Sequence, residues 1–254
     1  MGDSTADPVV ALREEQDELV RRVEGLDDEE LRRPSRCDGW TVADVLLHLA
    51  QTNELAVASV EGRLPEVVDR MAAGAPTAGS VDDLAGALVD AQRGEPAEAR
   101  DRYLASNDAQ VAAFRSVDPA ARVRWVAGEL AARTLATTRL AETWIHSVDV
   151  AVAFGPEPEP TGRLWHVARL AWRTLPYAFS RAGRELSGPV AVELDAPDGG
   201  TWRFTSEQPP LTVVRGSAHE LCTVAGQRAA AGDTGLVAEG PDAASVLELV
   251  RTFA

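Results

Sequence analysis

Apolar residues recur at helical spacing through the first 155 residues and at strand spacing only in the last third of the chain. Pro8 can open a helix that runs to about Gly25, with Val10, Leu12, Leu19, Val20 and Val23 as its buried face. The charged stretch from Leu26 to Arg36, interrupted by Pro34, reads as a connection. Thr41 followed three residues later by Asp44 is a capping-box-like start, and the stripe Val42, Val45, Leu46, Leu49 carries the second helix on to about Gly62. Residues 71 to 80, MAAGAPTAGS, form a small-residue loop. A third helix is expected over Asp83 to Val117, with a break near Gly94 and Pro96, and a fourth from about Glu129 to Phe154, stopped by Gly155-Pro156. Four helices with moderate loops predict an antiparallel bundle.

The stretch GPEPEPTGR, residues 155 to 163, alternates Pro and Glu and suits an extended linker. Two domains are therefore expected, 1–156 and 161–254. The second should begin with a helix from Leu164 to Arg181 and continue with strands at Pro189 to Leu194, Thr201 to Phe204 and Leu211 to Arg215. Pro197-Asp198-Gly199-Gly200 marks a hairpin between the first two. Ser217 then caps a helix through about Arg228, and Pro241 leads into a last helix, Asp242 to Phe253. The fold class is mainly α, a four-helix bundle followed by a smaller α+β domain.

Composition narrows the function. All 25 basic residues are arginine, and the net charge of −15 argues against a nucleic-acid or anionic-membrane partner, both of which need a basic face. The first twenty residues lack the basic-then-apolar order of a signal peptide, and no apolar run is long enough to span a bilayer, so a cytoplasmic protein is expected. Cys37 and Cys222 lie far apart without metal or redox spacing and are expected to be reduced thiols, with a structural role for Cys37 favoured over a place in a site. An apolar bundle face could support a homodimer.

The candidate chemistry sits in the second and fourth helices. Glu142 and His146 are four apart and project from one face, one turn from each other. His48, at the edge of the apolar stripe of the second helix, can meet them from a neighbouring helix. Two imidazoles and one carboxylate suit a divalent metal with positions left for water or substrate. The spacing by itself is common on ordinary surface helices. The surroundings, Leu140, Trp144, Ile145, Val148 and Val150, are apolar, so each histidine is either a satisfied core group or a ligand. A buried Glu142 would also require a partner for its charge, which a metal or an arginine could supply. Asp149, one turn beyond His146, could orient a ligand, and Asp44 could do the same for His48, although capping already explains it. Trp40 and Trp144 could floor a pocket, and His166 and His219 are expected to be structural.

Two blocks carry a family resemblance: Cys37-Asp38-Gly39-Trp40-Thr41-Val42-Ala43-Asp44 leading to His48-Leu49-Ala50, and Ala141-Glu142-Thr143-Trp144-Ile145-His146-Ser147-Val148-Asp149. Looser matches are Leu164-Trp165-His166-Val167-Ala168, Gly216 to Cys222 continuing to Arg228, and the Phe253-Ala254 ending. The chain resembles the mycothiol-dependent maleylpyruvate isomerase family, a branch of the DinB-like metal-binding superfamily. The resemblance implies a DinB-like four-helix bundle holding a metal, usually zinc, and a C-terminal α+β domain similar to sterol-carrier folds. It implies His48, Glu142 and His146 as ligands and Arg228 as the closest match to a helping arginine of the C-terminal domain, which would hold carboxylates by paired hydrogen bonds.

The implied activity is thiol chemistry on a small-molecule substrate, with mycothiol as cofactor: isomerisation or S-transfer on an electron-poor compound. One departure bears on it. The subgroup's fourth-helix motif often continues His-Gly-Gln-Asp, whereas this chain has His146-Ser147-Val148-Asp149, which changes the polarity of the pocket. Two alternatives follow: a metal-dependent, thiol-independent hydrolase, lyase or cyclase, and a non-catalytic ligand-binding protein.

Overall fold

The computed structural model describes residues 7–71, 81–126 and 128–252. The chain divides into two compact units, one of Val9–Pro158 and one from Glu159 onward. The expected loop over residues 71 to 80 lies, but for Met71, outside the described residues.

The first unit is built on four long helices, α1 (Pro8–Val23), α3 (Val42–Val60), α6 (Pro96–Ser116) and α7 (Ala132–Ala151). Shorter helices α2 (Asp28–Leu31), α4 (Leu64–Met71) and α5 (Val81–Gln92) fill the connections. The expected third helix is thus two, α5 and α6. Pro96 takes the first helical position of α6, where its missing N–H costs nothing. Both α2 and α3 start on full capping boxes, Asp27 with Glu30 and Thr41 with Asp44. The segment Leu26 to Arg36, expected as a plain connection, contains α2.

Strands β1 (Arg122–Trp125) and β2 (Gly128–Ala131) form an antiparallel hairpin in front of α7. The fourth helix therefore begins at Ala132, not Glu129. Val123 and Trp125 alternate with arginines, and this two-residue period wins over the helix propensity of the alanines that follow.

The bundle core gathers Leu19 and Val23 of α1, Val42, Val45, Leu46 and Leu49 of α3, Tyr103 of α6 and Val150 of α7. Val10, expected in the buried face of α1, is exposed, and Glu15 and Gln16 are buried there instead. The reason is a polar seam. Gln16 Nε2 donates to Gln110 Oε1 at 2.8 Å, Gln110 Nε2 to Asn53 Oδ1 at 2.8 Å, and Asn53 Nδ2 to Asn107 Oδ1 at 2.9 Å and Ser106 Oγ at 3.0 Å. Four carboxamides thus link α1, α6 and α3 head to tail through the core, which fixes the helices' register more sharply than apolar packing alone.

In the second unit, α8 (Leu164–Arg181) precedes β3 (Val190–Asp195), β4 (Thr201–Phe204), β5 (Thr212–Ser217), α9 (Ala218–Ala225), β6 (Val237–Glu239) and α10 (Ala243–Leu249). The four strands lie in the order β4-β3-β5-β6, with β3 and β5 parallel and the outer pairs antiparallel. The expected hairpin forms between β3 and β4 and closes through Ala196 N–H on the Gly200 carbonyl at 2.9 Å. Trp172 Nε1 donates to the Val190 carbonyl and ties α8 to the sheet. Ser217 caps α9 as expected, but Gly226 ends that helix and leaves Arg228 in the turn beyond it. The last helix is shorter than its expected span, and residues 253–254 are not described. Both cysteines are free, and among the described residues no helix is long and apolar enough to cross a membrane. The fold is mainly α with a C-terminal α+β unit.

Asn53→Leu tests the seam. It leaves the Gln110 donor and the Asn107 acceptor buried and unpaired, so a loss on the order of 3 kcal/mol is expected in urea denaturation. A loss below about 0.5 kcal/mol, the size of an ordinary surface change, would show that the amides do not act as a chain.

Candidate metal centre

The centre is assembled from two helices and one loop. Helix α7 is buried over most of its length, and Arg139, Glu142, His146 and Asp149 succeed each other at intervals of three and four, on one face. Helix α3 brings His48 from the opposite side. The loop 32–41 lies against the end of α7: the Arg36 N–H donates to the Asp149 carbonyl at 3.0 Å, and Arg33 reaches the Ala153 carbonyl. Gly39, at φ 76°, closes the turn in which the Trp40 N–H returns to the Cys37 carbonyl, a backbone conformation that other residues resist. This turn sets Trp40 against His48, ring centroids 5.3 Å apart.

His48 Nε2 is 3.3 Å and His146 Nε2 3.6 Å from the same oxygen, Glu142 Oε2. The two imidazoles meet edge to face with centroids 5.0 Å apart. One ligand atom from each of the three residues lies within 4.8 Å of the others. The structure therefore brings together His48, Glu142 and His146. Arg228 belongs to the other unit, where its Nη1 donates to the Gly226 carbonyl at 2.9 Å and its side chain lines a groove of about 810 Å³ with Arg251, Asp233 and Glu248.

Asp149, fully buried, accepts from His146 Nδ1 at 2.9 Å. A carboxylate on Nδ1 fixes the ring and directs Nε2 at Glu142, the arrangement in which a histidine presents its lone pair to a cation. The donor set therefore fits a divalent metal: two imidazole nitrogens and one carboxylate oxygen, with the second nitrogen of one ring anchored. Asp44 does not orient His48; it caps α3 through Thr41 and pairs with Arg93 at 2.7 Å.

Two further residues belong to the centre. Arg139, 2% exposed, sets Nη2 3.4 Å from Glu142 Oε2 and donates to Thr52 Oγ1 at 3.3 Å, while its guanidinium lies over the Trp125 ring at 5.7 Å. It is the arginine that a buried Glu142 called for, and it lies three residues upstream on the same helix face. Cys37 Sγ stands 3.2 Å from Asp149 Oδ2 and 3.9 Å from His146 Nδ1, so this cysteine borders the centre on the Asp149 side of the His146 ring. Nothing in its sequence spacing signals this. Cys222 is buried in α9, and burial pushes its thiol up.

The electrostatics separate the two histidines. Burial pulls His48 below the ordinary histidine value, and the hydrogen bond to Glu142 does not restore it. Burial also works against a charged His146, but Asp149, Cys37 and Glu142 together hold it well above that value. Burial would raise Glu142; His146, His48 and Arg139 outweigh it and keep the carboxyl well below the usual range.

The family model for the mycothiol maleylpyruvate isomerase N-terminal domain matches residues 12–151. An uncharacterised protein of Mycobacterium tuberculosis, found in two strains, is 33% identical over 253 residues, 98% of this chain and 97% of its own. A putative metal-dependent hydrolase of Geobacillus thermodenitrificans is 49% identical over 45 residues, 18% of this chain and 25% of its own. Crystal structures of the mycothiol-dependent maleylpyruvate isomerase and of a point mutant of it share the fold, with TM-scores of 0.57 and 0.58 at 20% identity, covering 93% of this chain and 94% of theirs.

The charge pattern predicts that, in the metal-free protein, His146 holds its proton to higher pH than His48 does. Imidazole shifts in a heteronuclear NMR titration would show it. The raised His146 stabilises the fold fully below the ordinary histidine value and ceases to as pH rises through its own value; the depressed Glu142 contributes above the ordinary carboxyl value and is lost as pH falls through its own. Asp149→Asn should bring the His146 titration down. An unshifted His146 in that variant would remove Asp149 from its anchoring role.

Proposed function

The chain belongs to the mycothiol maleylpyruvate isomerase family, and we propose that it is a metal-dependent enzyme that uses a thiol cofactor, mycothiol, for isomerisation or S-transfer on a small electron-poor substrate. The observation that carries this reading is the convergence of His48 Nε2, His146 Nε2 and Glu142 Oε2 on one point, with Asp149 anchoring the far nitrogen of His146. Zinc is the metal the donor set suits best. When bound there, a divalent metal would leave a position for a fourth ligand, favour the ionised form of a thiol and polarise a carbonyl.

The protein's residues supply the rest. Glu142 stays ionised because Arg139 and the two imidazoles face it. Asp149 holds the proton on Nδ1 of His146 and so keeps Nε2 free of it once a cation competes. Trp40 against His48 and Trp125 against Arg139 wall the centre with apolar rings and limit water. Arg228 remains the candidate for holding a carboxylate of cofactor or substrate, a task its fork of donors suits.

A second reading, a metal-dependent enzyme that activates water and needs no thiol, draws support from the hydrolase relative and from Ser147-Val148 in place of Gly-Gln. One experiment separates the two. Elemental analysis of the purified protein should give about one zinc per chain, lost in a His48→Ala, His146→Ala double variant. Calorimetric titration with mycothiol should then show binding to the zinc-loaded protein only. Zinc without thiol binding favours the second reading. Failure to take up zinc even when it is added overturns both.

A further inference from the structure

Arg139 is the charge in this centre that a metal ion does not need. Its side chain is 2% exposed, its Nε has no hydrogen-bond partner among the described residues, and its nearest acid is the carboxylate that faces both histidines. A buried, incompletely satisfied guanidinium is costly to keep. Packing alone would be served as well by an apolar chain against Trp125. A guanidinium starts so high that burial, which pulls it down, leaves it cationic.

The consequence appears on counting charges. Glu142 and Asp149 are the two carboxylates that touch the histidines, and both are enclosed, with side chains 13% and 0% exposed. Of the neighbouring ion pairs on α3, Glu54 with Arg102 is internally neutral, and Arg93 serves both Asp44 and the exposed Asp90, whose charge water screens. A divalent cation held by two neutral imidazoles would balance Glu142 and Asp149 and leave the centre uncharged. Arg139 adds one positive charge that these residues do not cancel. Among side chains this enclosed such a charge is strongly felt.

We propose that Arg139 is a specificity-determining residue that makes the loaded centre select a monoanionic ligand over a neutral one. A thiolate or a carboxylate completes the charge balance, whereas neutral water does not. Arg139 reaches the incoming ligand through its field, since Nη2 is engaged with Glu142 and Thr52. The inference rests on the metal-dependent reading above and narrows it to anionic substrates or cofactors.

The test uses the full chain loaded with cobalt(II), whose visible spectrum reports each ligand that enters. Azide serves as the monoanion and imidazole as the neutral probe, against wild type, Arg139→Lys and Arg139→Gln. Arg139→Gln is expected to weaken azide about tenfold or more relative to imidazole, as loss of a nearby buried charge requires. Arg139→Lys, which keeps the charge, should stay within about threefold of wild type for both. Should the Gln variant fail to fold, Arg139→Met, an apolar chain that can lie on Trp125, gives the same readout. Equal weakening of azide and imidazole, or no change in either, overturns the selective role while leaving the metal site intact. Failure of wild type to take up cobalt overturns the metal reading itself, and this inference with it.

Discussion

The largely enclosed carboxylate of Glu142 is the constraint around which the first unit is organised. A carboxylate in a helix bundle needs compensation from every side, and here it comes from three directions: His48 across the helix interface, His146 one turn on and Arg139 one turn back. Each of these must in turn be held. Asp149 and the Cys37 loop fix His146, Trp40 packs on His48, and Thr52 and Trp125 hold Arg139. Thr52 also donates its hydroxyl to the His48 carbonyl within α3, and it is the Arg139–Thr52 hydrogen bond that ties α7 to α3 at the site. The hairpin β1–β2 supplies Trp125 and leads directly into α7.

Much of this was legible in the sequence where a residue had one dominant reason to be where it is. Thr41 with Asp44, Pro96, Ser217 and the turn before Gly200 each marked an element boundary through local chemistry, and each lies where that chemistry predicts. The triad was legible because Glu142 and His146 share a helix face and His48 rides the edge of an apolar stripe. The need for a counter-charge on Glu142 could also be foreseen, but not which arginine meets it, since a one-dimensional pattern does not tell buried from exposed arginines.

The rest was hidden by competing signals. In α1 the apolar period points to Val10, yet the amide seam draws Gln16 inward and rotates the buried face toward Ala11 and Glu15. Helix α6 turns Ser106, Asn107 and Gln110 into the core, so its polar pattern reads as solvated when it is not. Alanine-rich sequence after Gly128 concealed a four-residue strand, and the block that Cys37 opens says nothing of its contact with His146 and Asp149. In each case tertiary contacts decided what local preference left open.

The amide seam has a consequence for how such a sequence can drift. In the run Gln16, Gln110, Asn53, Asn107 the two interior carboxamides, Gln110 and Asn53, each accept from the amide before and donate to the amide after, in a single sense through the core. No interior member can become apolar without stranding both neighbours, and even Asn for Gln would fall short of the next helix. Positions 16, 53, 107 and 110 should therefore change together or not at all among relatives. In an alignment of them, this correlated variation would trace the contact of three helices from sequence alone.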